Sequence, residues 1–123
     1  MTVDPERRRR GLEKMREVYG WEFGDALGDW FGYTADHLFA EIWEREGLSL
    51  RDRRLLLVGL CVGRGQDDVA ALQADAGLRV GDLSAEDLRE IVIFLSYYAG
   101  WPAAAKLNAE VERALAERDK ADG

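Results

Sequence analysis

Apolar residues recur three and four positions apart along most of the chain, and no stretch alternates β-branched with polar residues, so the pattern predicts helices and no strand. From Pro5 to Tyr19, the positions Leu12, Met15, Val18 and Tyr19 share one helical face, and Gly20 offers a stop. Between Gly20 and Tyr33, four glycines punctuate five aromatics, a spacing that predicts an ordered loop pinned by large side chains. Thr34 is the expected cap of a second helix from Ala35 to Arg45, with Leu38, Phe39, Ile42 and Trp43 on one face and Gly47 at its end. Ser49 and Asp52 form a capping-box variant that opens LRDRRLLLVGLCVG, whose second half is apolar all round and is expected at the centre of the core. A glycine-rich kink and a helix from Gln66 to Leu78 follow. Ser84 with Asp87 repeats the cap and opens a helix that Gly100 and Pro102 terminate. A last helix from Ala103 to about Glu117 carries Leu107, Val111 and Leu115 on one face.

The fold class is therefore all-α. A chain of 123 residues with 47% hydrophobic positions suits one domain spanning 1–123, with 1–33 as an N-terminal helix and aromatic segment and 34–117 as the core. No apolar run approaches the roughly 20 residues of a membrane span, and the basic N-terminus lacks an apolar segment after it, so a soluble, cytoplasmic protein is expected. Cys61, the single cysteine, lies inside a hydrophobic run and reads as a packed thiol. The net charge of −7 argues against nucleic acid as a partner. The one basic run, Arg7 to Arg10, is followed within a few residues by Glu13 and Glu17 and reads as a solvated helix start whose arginines pair with carboxylates one turn away.

Few side chains suit chemistry. His37 is the only imidazole, and Glu41 follows it by four residues on the same helical face. Partial burial of Glu41 would push it toward a general acid, whereas an ion pair with Arg45 would make it a surface residue. Arg51, Arg53 and Arg54 open a buried helix, where guanidinium groups suit bidentate recognition of a carboxylate; the competing role is pairing with Asp52, Glu44 or Glu46. Asp67 and Asp68 sit at a helix start, where capping is their simplest role. Tyr97, Tyr98 and Trp101 supply hydroxyls or aromatic walls. One histidine and one cysteine give no zinc spacing, the carboxylates form no calcium loop, and neither a phosphate loop nor a nucleophile elbow is present.

The segments EIWEREGLSLRDRRLLLVGLCVGRGQDDVAALQ, from Glu41 to Gln73, and LSAEDLREIVIFLSYYAGWPAAAKL, from Leu83 to Leu107, resemble the carboxymuconolactone decarboxylase family. The matching positions are Glu41, Ile42, Trp43, Arg45, Gly47, Leu48, Arg51, Arg53, Tyr98, Gly100, Pro102 and Ala104, and Gln73 falls where the family places a histidine. The resemblance implies an alkylhydroperoxidase D-like domain of five or six helices with a buried central hairpin. It also implies a trimer or hexamer and decarboxylation of a small carboxylated lactone without metal or organic cofactor. The C-x-x-C pair of peroxidase relatives would fall near Gln66 and Val69, so thiol peroxidase chemistry is not expected. Decarboxylation needs a cationic clamp for an anionic substrate and an acid for the carbanion left behind. Gln73 can hydrogen-bond but cannot exchange a proton near neutral pH. The expected enzyme is thus a lyase with Glu41, His37 or Tyr98 as acid and with Gln73, Arg51, Arg53, Arg54 and Trp101 binding substrate. The alternative is a non-catalytic binding or scaffolding oligomer that kept the fold. Twelve aromatics and an all-apolar helix exceed what a small monomer usually hides, which points to a homo-oligomer.

Overall fold

Each long stretch of helical periodicity forms a helix in the computed structural model, which describes residues 4–122. The elements are α1 (Pro5–Tyr19), α2 (Asp29–Gly32) running into a π-helix (Tyr33–Ile42), α3 (Leu50–Gly63), α4 (Asp67–Val80), α5 (Ala85–Tyr98) and α6 (Trp101–Asp122). The described residues contain no strand, and none of their helices is long and apolar enough to cross a membrane. The chain divides into two compact units, Met1–Leu50 and Arg51–Gly123.

In the first unit, α1 starts where Asp4 accepts hydrogen bonds from the amides of Glu6 and Arg7, with Pro5 in the first turn. It stops at Gly20, whose φ of 82° places it in the left-handed region and whose N–H donates to the Arg16 carbonyl. The helix packs on the π-helix through a backbone approach at Gly11, where a Cβ would stand 1.9 Å from the Ala35 carbonyl oxygen. Met15, Val18, Ala35, Phe39 and Trp43 fill the space around that crossing.

Three expectations for this unit are corrected. Thr34 does not start a helix: helical structure begins at Asp29, and the Thr34 hydroxyl donates back to the Trp30 carbonyl at 2.9 Å. The following ten residues wind with the wider i→i+5 repeat, and the segment ends at Ile42 rather than Arg45, with the Trp43 N–H on the Leu38 carbonyl. The wider turn brings side chains four apart closer to vertical register, and the Phe39 and Trp43 rings stack with planes 1° apart. Finally, Arg8 is not on a solvated face. It is buried, with Nε and a terminal nitrogen on the two oxygens of Asp36 (2.7 and 3.2 Å) and another on Asp25 (2.6 Å) and on the Ala26 carbonyl (3.2 Å). The hydrogen bonds it donates to Asp36, then to Asp25, hold its guanidinium above its already high ordinary pKa. Local pairing survives at Arg9, which meets Glu6 and Glu13.

The second unit has one core: Val58, Cys61 and Val62 from α3, Ala70, Ala74 and Leu78 from α4, Leu83, Leu88 and Val92 around α5, and Leu107, Val111 and Leu115 from α6. Cys61 is a packed thiol. The capping box at α5 is present in both directions, Ser84 Oγ accepting from the Asp87 amide and Asp87 from the Ser84 amide, each at 3.0 Å. Gly100, at φ 100°, ends the run of α5, and α6 begins at Trp101 rather than Ala103 because Pro102 sits in the first turn, where no N–H is required. It also continues past Glu117 to Asp122. The all-round burial expected for α3 is not found. Leu56 and Leu60 remain 63% and 52% exposed, because only the face carrying Arg54, Val58, Cys61 and Val62 turns to the core.

The Gly11 contact is against backbone, which cannot rotate away. Gly11→Ala is expected to cost stability at or above the top of the roughly 1–3 kcal/mol overpacking range, despite the gain in helix propensity. Urea unfolding of the two proteins followed by circular dichroism measures it.

Candidate functional site

Helical spacing places Gln73 on the inner face of α4 beside Ala70, Ala74 and Gly77, and the side chain is 2% exposed. In the first turn of α3, Arg54 is 0% exposed. Its Nε lies 2.9 and 3.0 Å from the two carboxylate oxygens of Asp82, and a terminal nitrogen donates to Gln73 Oε1 at 3.0 Å. Guanidinium groups only donate, so the amide oxygen of Gln73 must face it, and that fixes the orientation of the amide.

The approach depends on a missing side chain. A Cβ on Gly77 would stand 2.9 Å from Arg54 Cδ and 2.7 Å from Leu83 Cδ1, so the glycine one turn after Gln73 makes room for the arginine stem. Asp82 is aimed by the turn that closes α4: Gly81, at φ 90°, and Leu83 both donate their N–H to the Gly77 carbonyl. The network continues outward, since Arg51 Nε donates to the Asp82 carbonyl at 3.2 Å and Arg51 lies 3.4 Å from Asp87. The Ser84 amide, bonded to the Asp87 carboxylate, is the main reason that group sits below the ordinary carboxylate pKa, with Arg51 adding to it.

In the first unit, the π-helix brings His37 and Glu41 together. His37 Nδ1 is 3.5 Å from Glu41 Oε1, ion-pair range rather than a hydrogen bond, and the side chains are 55% and 43% exposed. Glu41 also pairs with Arg7, whose Nε donates to the Asp36 carbonyl at 2.6 Å. Arg7, not Arg45, is thus the partner seen at Glu41, and sequence spacing held no signal for it.

The remaining candidates lie in the second unit, on or near its surface. Arg51 is exposed and Arg53 half-buried. Tyr98 is four-fifths exposed and packs against Phe94 at a ring distance of 5.0 Å, and Trp101 meets Tyr97 edge-on at 5.2 Å. A shallow cleft of about 320 Å³ runs beside Tyr97 and Trp101 over Ser96, Ala104 and Asn108. Asp82 and Gly77, which hold Arg54 in place, were not singled out by sequence reasoning; an aspartate after a helix-ending glycine is too common a pattern to mark them.

A profile of the carboxymuconolactone decarboxylase family matches residues 28–113. Among curated proteins, the 4-carboxymuconolactone decarboxylase of Acinetobacter baylyi (strain ATCC 33305 / BD413 / ADP1) is 27% identical over 108 residues, a stretch covering 81% of this chain and 80% of that protein.

Removing one member of a buried ion pair strands the other. Arg54→Met is expected to cost about 3–5 kcal/mol, and adding Asp82→Leu should recover part of the loss by removing the stranded carboxylate; urea unfolding of the single and double variants checks both. Because the Asp87 pKa is depressed on folding, its contribution is present above the unfolded carboxylate value and is lost as pH falls below about 4. Asp87→Asn should therefore flatten the acid limb of stability against pH, measured as the melting temperature from neutral pH down into that range.

Proposed function

The chain belongs to the carboxymuconolactone decarboxylase family, and on that premise we propose that it is a cofactor-independent carbon–carbon lyase of the cytoplasm, with His37 as its general acid and Glu41 orienting the imidazole. The substrate class is a small anion, a carboxylated metabolite or lactone, by analogy with the A. baylyi relative. The observation that carries the reading is the 3.5 Å approach of His37 Nδ1 to Glu41 on a half-exposed stretch of π-helix. A carboxylate beside one ring nitrogen orients the imidazole and leaves Nε2 for a solute.

In the proposed reaction the bond between the ring carbon and the carboxylate breaks and carbon dioxide leaves. The electron pair delocalises onto the lactone carbonyl as an enolate, and His37 delivers a proton to the carbon before recovering one from water. Gln73, its oxygen engaged by Arg54, cannot take that part because an amide does not exchange a proton near neutral pH. Arg54 is buried and paired with Asp82, which argues against it as the clamp for a substrate carboxylate.

One observation favours a second reading, a ligand-binding protein without turnover. The polar residues around Gln73 are hydrogen-bonded to one another, and no buried side-chain nitrogen or oxygen among the described residues lacks a partner.

Carbon dioxide release from 4-carboxymuconolactone separates the two. Turnover by the wild type that drops by about 10²-fold or more in His37→Gln, with binding retained, supports the lyase. Binding without turnover in the wild type, and no gain in Gln73→His, supports the second.

A further inference from the structure

Decarboxylation of an anionic substrate calls for a cation beside the acid, and Arg54 is already paired with Asp82. The first unit holds another. Arg7, in the first turn of α1, has a side chain 38% exposed, and its guanidinium is aimed by two contacts. Nε donates to the carbonyl of Asp36, the residue before His37, at 2.6 Å. Nη2 pairs with Glu41 Oε1, and His37 Nδ1 approaches that same oxygen at 3.5 Å. Guanidinium and imidazole thus meet at one carboxylate oxygen, the first from α1 and the second from the π-helix.

An ion pair between two long surface side chains would be mobile and of little consequence. Arg7 differs in how it is held. Gly11, one turn later, brings α1 into backbone contact with Ala35, and Arg8, the next residue, is locked on both oxygens of Asp36. The base of the Arg7 side chain is therefore fixed against the π-helix, and the bond from Nε to Asp36 sets the direction of its head. Nη1 is left over. It has no hydrogen-bond acceptor among the described residues, so its two N–H groups are open to a solute. A guanidinium already held at two nitrogens has little rotamer freedom left to lose when an acceptor binds the third.

Charge agrees with this arrangement. Of the carboxylates on the π-helix, Asp36 is answered by Arg8, and Glu41 is shared between Arg7 and His37. Arg7 and Glu41 cancel, so the acid form of His37 leaves one positive charge for a substrate anion to neutralise. We infer that Arg7 is the anion clamp of this site: Nη1 takes a carboxylate oxygen of the substrate and holds the ligand beside His37, while Glu41 stays on Nδ1. The ligand class is a small carboxylate. Arg7 lies outside residues 28–113, the stretch that the family profile matches, so the clamp belongs to this chain's own N-terminal helix.

His37 is the only histidine, so its ring C–H signals report on the site by NMR. Paraconate, a saturated lactone carboxylate, is titrated at constant ionic strength into the wild type, Arg7→Gln, Arg7→Lys and Arg51→Gln. The uncharged control is γ-butyrolactone, and circular dichroism verifies folding. The wild type is expected to give a saturable shift with paraconate and none with γ-butyrolactone. Arg7→Gln should bind about 10-fold or more weakly, the loss of a hydrogen bond to a charged group. Arg7→Lys keeps the charge without the fork and should fall between, and Arg51→Gln should match the wild type. No response in the wild type, an Arg7 variant that binds as the wild type does, or an equal loss in Arg51→Gln overturns the clamp.

The clamp rests on His37 being the acid, yet the two fail apart. Carbon dioxide release from 4-carboxymuconolactone that is lost in His37→Gln but keeps its kcat/KM in Arg7→Gln removes the clamp and leaves the lyase. Paraconate bound through Arg7 by a protein that releases no carbon dioxide removes the lyase and leaves the clamp.

Discussion

A guanidinium sealed from solvent is tolerated only when charge and every donor are answered, and that constraint organises the second unit around Arg54. Asp82 has to be presented by the turn between α4 and α5, so the left-handed Gly81 and the two amides on the Gly77 carbonyl are part of the same requirement. Gly77 has to lack a side chain for the arginine stem to pass. Gln73 has to turn its oxygen inward. Arg51 then extends the network to Asp87 and so to the cap of α5. Three helices and a turn are registered against one another by polar geometry, while the apolar core supplies the bulk of the burial.

The first unit uses the same solution independently. Arg8 meets both oxygens of Asp36, and the pair fixes α1 against the π-helix where Gly11 and Ala35 already bring the backbones together. The same arginine reaches Asp25 and Ala26, so the irregular segment after α1 is held by a side chain that is itself immobilised. Its contact with Asp25 keeps that exposed carboxyl below its ordinary pKa, the Arg8 hydrogen bond being the main cause.

Much of the fold was legible because its signals are local. Pro5 and Gly20 bound α1 where the sequence places them, and the Ser84–Asp87 box opens α5, since caps act within one turn. The π-helix was not legible, because nothing in YTADHLFAEI distinguishes an i→i+5 repeat from an i→i+4 one. The uneven burial of α3 was hidden for another reason: with leucines and valines on every side, its composition does not say which side meets the core. At the candidate site, helical spacing was enough to set His37 near Glu41, whereas Gln73 was singled out by the family resemblance alone. The carboxylate that answers each buried arginine was beyond reach, since Asp82 lies 28 residues from Arg54 and Asp36 the same distance from Arg8. Partners at that separation are chosen by tertiary packing rather than by any short-range pattern.

The amide at position 73 also sets how the buried network responds to its surroundings. An imidazole in that place would be a titratable group, and any proton it took up would arrive next to a guanidinium with no water to share the field. Glutamine has no such transition. The link between α4 and Arg54 is therefore made by a group that carries no proton-dependent charge, at the point where an imidazole would have introduced one.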